Sequence, residues 1–300
     1  MKNRVARFLL TLGVISILFA QIPQYDNDQA RVMGTTISKL GEIPEEGNNE
    51  RLSYRPFFPH KTLPEGVEET SPSFTGDGQT IVFARYEDWA KKVPFIAYFV
   101  DGRWKEERLS FVDTLYNLAI SPNGSRIIYK TVEEKDGKEI SHCFVVDKLP
   151  GAWSTPLEIK SLYNIHAGYF HLMKDGTLYF FARSPKSGIY YSGPDETLTF
   201  GSPQWLSDAV SLENSDSFDI CMHPDSNKLI VTQYYSEKKF PERGEIGMYY
   251  YEKIGDDWKR IKRLPLDYAW GASVTPDNKF VFVRKGTIQY VLIENLGIRW

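Results

Sequence analysis

Five stretches of this chain repeat one pattern at nearly constant spacing, and the repeat restricts the fold more than any other feature. They are "SPSFTGDGQTIVFAR" from Ser71, "NLAISPNGSRIIYKT" from Asn117, "YFHLMKDGTLYFFAR" from Tyr169, "FDICMHPDSNKLIVTQY" from Phe218 and "GASVTPDNKFVFVRK" from Gly271. Each holds a short alternating run, a turn, and a second run of Ile, Val, Phe and Tyr. The turn pairs are Asp77-Gly78, Asn123-Gly124, Asp175-Gly176, Asp225-Ser226 and Asp277-Asn278, at intervals of 46, 52, 50 and 52 residues. Asp or Asn followed by Gly supplies the positive φ values of a tight hairpin. Pro122, Pro224 and Pro276 precede three of the turns, where no ladder N–H is needed. Each copy therefore reads as an antiparallel hairpin.

Two further strand-like runs follow each of the first four hairpins. An aromatic opens the last of them: Trp104, Trp153, Phe200 and Trp258. Four strands in about fifty residues make one blade of a β-propeller. A repeated position serves the repeated core, so these aromatics are expected to pack between neighbouring blades. The fifth copy is one strand short. After it only "TIQYVLIENLGIRW" remains, whereas "YRPFFPHKTLPEG" (54–66) stands ahead of the first copy. The expected fold is all-β: a single β-propeller of five four-stranded blades, the last closed by strands from both termini. Six blades is the alternative count. Such closure removes exposed sheet edges.

Three hundred residues, 42% hydrophobic, suffice for one propeller with a packed core. Aromatics at 14% suit half-buried pleated surfaces. A net charge of −3 carries no footprint for nucleic acid and no polybasic membrane patch. The first twenty residues differ from the rest. Lys2, Arg4 and Arg7 precede an uncharged run of thirteen (8–20), and polar residues follow. Thirteen helical residues span roughly 20 Å, short of a hydrocarbon core of about 30 Å. This is the pattern of a secretory signal peptide over 1–20. Residues 21–53 read as a poorly structured leader and 54–300 as the propeller. The expected location is periplasmic or extracellular, with no membrane span after cleavage. Cys143 and Cys221 sit in apolar runs without CxxC spacing and read as two buried free thiols.

The copies "SPSFTGDGQTIVF", "AISPNGSRIIY" and "SVTPDNKFVF" resemble the TolB-type, WD-like propeller repeat of bacterial exported proteins. The lead-in "LGEIPEEGNNERLSYRPFFPHKTLPEGVEETSPSF" is similar to that of a family of uncharacterised secreted propellers. The resemblance runs from about Leu40 to the end and implies the fold, not a chemistry. "ENLGIRW" stands where that family carries an acidic C-terminal segment.

Motifs with a mechanism are absent: GxSxG, P-loop, HExxH and GxGxxG do not occur. Asn123-Gly-Ser forms a sequon but reads as a hairpin turn. His60, His142, His166, His171 and His223 are scattered and predict no metal site, and no cofactor is expected. What remains is position. Residues just before each innermost strand gather at one mouth of a propeller's channel. The candidate ligand-binding residues are Glu69, Tyr116, His166, Tyr169, Asp219 and Trp270, polar groups on aromatic walls. The bland alternative is that they are solvated loop ends. Arg85, Arg183 and Arg284 recur after the second strand and read as surface or inter-blade pairing. The function expected is non-enzymatic binding of a protein, peptide or glycan at the channel mouth, with a charged loop at 234–245 as a second contact. The alternative is a glycan-active hydrolase or lyase using Glu69 with Asp216 or Asp219. That chemistry needs two carboxyl groups about 5 Å or about 6.5–9.5 Å apart.

Overall fold

In the computed structural model of the protein, the described residues are 52–58, 62–195, 200–212, 215–235, 247–266 and 269–300, without the side chains of 215, 216 and 235. The signal peptide read over 1–20 lies outside them, as does all but the end of the leader read over 21–53. All but the first two residues of the 234–245 loop also lie outside. Residues 48–300 form one compact unit.

The five hairpins are the inner halves of five antiparallel sheets. Blade 1 is β2 (Glu68–Phe74), β3 (Thr80–Tyr86), β4 (Val93–Val100) and β5 (Arg103–Arg108), paired in that order. Blade 2 is β6 (Asn117–Ile120), β7 (Arg126–Lys135) and β8 (Lys138–Leu149), with its fourth strand split into β9 (Ala152–Trp153) and β10 (Leu157–Glu158). Pro156 lies in the split and cannot donate to a ladder. Blade 3 is β11 (Gly168–Leu172), β12 (Leu178–Ala182), β13 (Gly188–Ser192) and β14 (Gln204–Trp205). Blade 4 is β15 (Ser215–Met222), β16 (Lys228–Tyr235), β17 (Gly247–Ile254) and β18 (Asp257–Arg263). Blade 5 takes β19 (Trp270–Val274), β20 (Lys279–Arg284) and β21 (Thr287–Leu292) from one end of the chain and β1 (Arg55–Pro56) from the other. The innermost strands β2, β6, β11, β15 and β19 each lie against both neighbours and close a ring.

The turns follow the chemistry of their residues. The Asp77 carboxylate accepts the Thr75 hydroxyl at 2.6 Å and the Gln79 N–H at 2.9 Å, while Gly78 takes φ +68°. Asn123 does the same with Ser121 and Ser125, so its side-chain oxygen is committed to the turn. Asp277 repeats the bond to Thr275.

The core lies in five seams, one between each pair of blades. The repeated aromatics occupy four of them. Trp104 packs on the seam of blades 5 and 1, Trp153 on that of blades 1 and 2, Phe200 within that of 2 and 3, and Trp258 within that of 3 and 4. Cys143 and Cys221 are free and buried in different seams, and burial pushes both thiols up to about 12.

At the outer edge of blade 2, the His142 imidazole sits 2.6 Å from Glu158 and 3.4 Å from Glu133. The Glu158 hydrogen bond, helped by Glu133 and opposed by partial burial, holds the imidazolium above its ordinary range. A raised folded pKa adds stability that is full below the unfolded value, about 6.5, and fades as pH rises through the folded value. Melting of the wild type against His142→Asn from pH 5 to 9 should therefore show an advantage at acid pH that shrinks toward alkaline pH. A gap of constant size would mean that neutral packing, not charge, is lost.

Candidate functional site

The innermost strands carry a device that composition does not show. In blades 1, 3, 4 and 5 the pairing of the first two strands shifts register: between Thr70 and Ser73, Gly168 and His171, Phe218 and Cys221, and Trp270 and Ser273. The extra residue is Ser71, Tyr169, Asp219 or Gly271, each with φ between +54° and +71°. Asn117 holds the same place in blade 2 but pairs regularly with Lys130. A non-glycine residue in this conformation costs on the order of 1–2 kcal/mol. Its recurrence in one register means that the ring packing imposes it. A bulge re-aims the side chains around it. Ser71, Asn117, Tyr169, Asp219 and Gly271 accordingly line one axial cavity of about 30 Å³, room for about two waters.

Two of the expected ligand residues, Tyr169 and Asp219, stand in this axial layer. The Tyr169 ring lies 5.1 Å from that of Phe218 in blade 4. The Asp219 carboxylate is 5% exposed and accepts the Gly271 N–H, and its Oδ2 has no protein partner among the described residues. Burial pushes its pKa up to about 7, against the Gly271 N–H and the Lys92 ammonium. His171 also lines the cavity, and burial pushes its pKa down to about 4, so the ring is neutral.

Glu69 goes elsewhere. It lies two residues ahead of the bulge, opposite Arg85 on β3. Its Oε1 accepts from Arg85 Nε at 3.2 Å, and its Oε2 faces the Ile288 N–H of blade 5 at 3.5 Å. Its own N–H donates to the Gly286 carbonyl at 2.8 Å. Arg85 lies over the Phe95 ring and reaches Glu106 at 2.6 Å. Burial, opposed by the Ile288 N–H and aided by Glu106, raises the Glu69 carboxyl above the ordinary range. The expectation of Glu69 at the channel mouth is thus corrected: its side chain bridges the seam of blades 1 and 5, whereas Arg85 takes Glu69, Glu106 and the Phe83 and Phe95 rings, all within blade 1. Asp216 pairs with Tyr234 through its backbone, and its side chain lies outside the described residues.

Tyr116, His166 and Trp270 stand in a second layer. The loop between β3 and β4 folds inward here. Its Trp89 ring lies 5.7 Å from Trp270 of blade 5, and Lys92 forms a β-bridge with Leu115 ahead of blade 2. The loop therefore ties the approach to blade 2 to the start of blade 5. The Lys92 ammonium is 1% exposed, donates to the Tyr116 carbonyl at 3.3 Å and lies 3.3 Å from the Trp89 ring centre. Lys130 Nζ lies 5.9 Å from the centre of the Tyr116 ring. Burial pushes Lys92 down to about 7, with Lys130 adding repulsion and Asp219 opposing it. Burial also pushes Lys130 down to about 8. His166 is lowered by burial and by Lys130 and Arg183.

The lysines are what sequence reading missed. "DWAKKVPF" reads as a charged surface loop, and nothing local distinguishes buried Lys92 from exposed Lys91. The bulge left a partial signal: Asp219 and Gly271, two of its four positions, are residue types tolerated where φ is positive, whereas Ser71 and Tyr169 are not. Among the described residues no three His, Cys, Asp or Glu side chains gather at metal-binding distance, and no helix is long and apolar enough to cross a membrane.

No family model matches the chain, and no curated protein does. Among solved structures, it is similar to the BT0996 RGII complex at TM-score 0.53 and 9% identity, covering 80% of this protein and 91% of that one. It also matches the β-propeller domain of the Trilobed protease from Pyrococcus furiosus (TM-score 0.42, 12% identity, 74% of this protein and 64% of that). A third match is the periplasmic gluconolactonase of Pseudomonas aeruginosa (TM-score 0.40, 10% identity, 73% and 70%). The protein spans 60 to 64% of the length of the first structures it matches. At such identity the likeness concerns the fold alone.

Proposed function

We propose that this protein is a non-enzymatic, exported propeller that binds a glycan, peptide or protein segment at the channel mouth. The observation that carries the reading is the separation of the two described carboxylates that hydrolysis would need. Glu69 is engaged by Arg85 in the seam of blades 1 and 5, while Asp219 stands at the axis and takes the Gly271 N–H. A hydrolase needs two carboxyl groups converging on one bond. The mouth instead gathers aromatic faces and ammonium groups, which suit recognition. The basic start and uncharged run of residues 1–20 support export, and the hairpin Ser121-Pro122-Asn123-Gly124 with its four relatives supports a TolB-type repeat.

A thermal-shift screen of glycans and peptides tests the reading. At least one compound should raise the melting temperature in a concentration-dependent way and leave the mixture unhydrolysed. Cleavage of a glycan that is lost in both Glu69→Gln and Asp219→Asn would overturn it.

A further inference from the structure

We propose that the channel mouth holds its ligand by a carboxylate group, seated on Lys92 and Lys130 beside the Tyr116 ring, and that the ligand is an acidic saccharide. This deepens the binding reading above and rests on it. Two lysines approach one aromatic ring: Lys92 Nζ is 5.3 Å and Lys130 Nζ 5.9 Å from the centre of Tyr116. Neither makes an ion pair with a carboxylate within 4 Å among the described residues. The acidic groups that face them act from further away: Asp219 on Lys92, Glu139 on Lys130, Asp88 and Glu139 on Tyr116. Arg183 acts on Lys130 as a further positive charge.

A buried ammonium with one carbonyl acceptor leaves two of its three donors unused. Half-buried Lys130 brings a second positive charge toward Lys92, which is unfavourable for the empty fold. An anion at the mouth supplies the missing acceptors and the counter-charge at once. Burial depresses both lysine pKa values, and an anion seated beside them would raise both again.

A saccharide fits better than an acidic peptide. Half-buried Trp89 and Trp270, 5.7 Å apart, gather aromatic surface beside the lysines, of the kind that packs on a pyranose ring.

Calorimetric titration of the full-length protein decides the matter. The probes are a glucuronate-containing tetrasaccharide, its carboxyl-reduced neutral counterpart, tetraglutamate and inorganic phosphate. The acidic saccharide should bind at least about tenfold tighter than its neutral counterpart and weaken with added salt. Lys130→Gln should lose about tenfold, and Lys130→Arg should restore binding at an unchanged melting temperature. Lys92→Met, whose folding is checked by its melting curve, should lose the acid-over-neutral preference. Equal affinity for the acidic and neutral sugars would overturn the carboxylate site while leaving a binding propeller. Binding of tetraglutamate or phosphate without the uronate would overturn the saccharide class. A protein that binds no glycan or peptide in the wider screen would remove the binding reading itself.

Discussion

Phe57→Ala should lower the melting temperature by on the order of 10 °C, in one cooperative transition. β1 pairs with β21 over two residues only, and Pro56 has no N–H to give. The Phe57 N–H adds a bond to the Ile288 carbonyl at 3.0 Å. So few hydrogen bonds cannot hold the ring closed, and side chains must. Phe57 is 8% exposed and lies within 5.1–5.4 Å, centre to centre, of Phe58, Phe74 and Trp104. These rings come from the N-terminal segment and blade 1, and the same seam holds Val281, Val283 and Ile288 of blade 5. Removing a buried Phe costs about 3–5 kcal/mol, and each kcal/mol shifts a domain of this size by about 2–4 °C. Arg55→Ala, at an exposed position of the same strand, should change little. Calorimetric melting of both variants is the check. A Phe57→Ala shift no larger than that of Arg55→Ala would mean that the ring closes without this segment.

Lys92→Met should stabilise the protein at neutral pH, by about 1–4 kcal/mol, because a buried charge without a carboxylate partner is removed. The sign of the pH dependence follows from the lowered pKa. The folded state releases the proton near 7, and the unfolded state holds it to about 10.4. Stability lost to Lys92 is therefore greatest at pH 7 and below, and disappears as pH climbs toward 10. Denaturant titrations of wild type and variant at pH 6.5, 8 and 10 should show a gap that closes with rising pH. If the variant is weaker at every pH by the same amount, the Tyr116 carbonyl bond and Trp89 contact stabilise the fold, and Lys92 carries no unmet charge. A protein that is more stable without Lys92 keeps that lysine at a cost, which is the situation expected of a binding group.

The legible part of this molecule was written between near neighbours in sequence. Asp77-Gly78 and Asn123-Gly124 announce hairpins because a turn is decided by two residues and their φ values. Trp104, Trp153, Phe200 and Trp258 announce the seams because every blade meets the next in the same way. The missing strand of the fifth copy and the spare "YRPFF" segment announce the closure. Of the site, Tyr116, His166 and Trp270 stand in the outer layer, and Tyr169 and Asp219 stand at the axis. Glu69 was misjudged by the face it points to. Strand side chains alternate with period two, and one inserted residue reverses the alternation. That insertion comes from the meeting of five inner strands, so the residues ahead of it cannot report it.

The number of blades, their hairpins and the joining of the two ends in one sheet were determined by the sequence alone, since local turn geometry and period-two patterning suffice for them. Which carboxylate reaches the axis, and that Lys92 is buried beside Lys130, were decided only by the tertiary structure. Burial of a charge is a property of what other blades place around it, and Trp89, Tyr116 and Trp270 are brought together from three different blades.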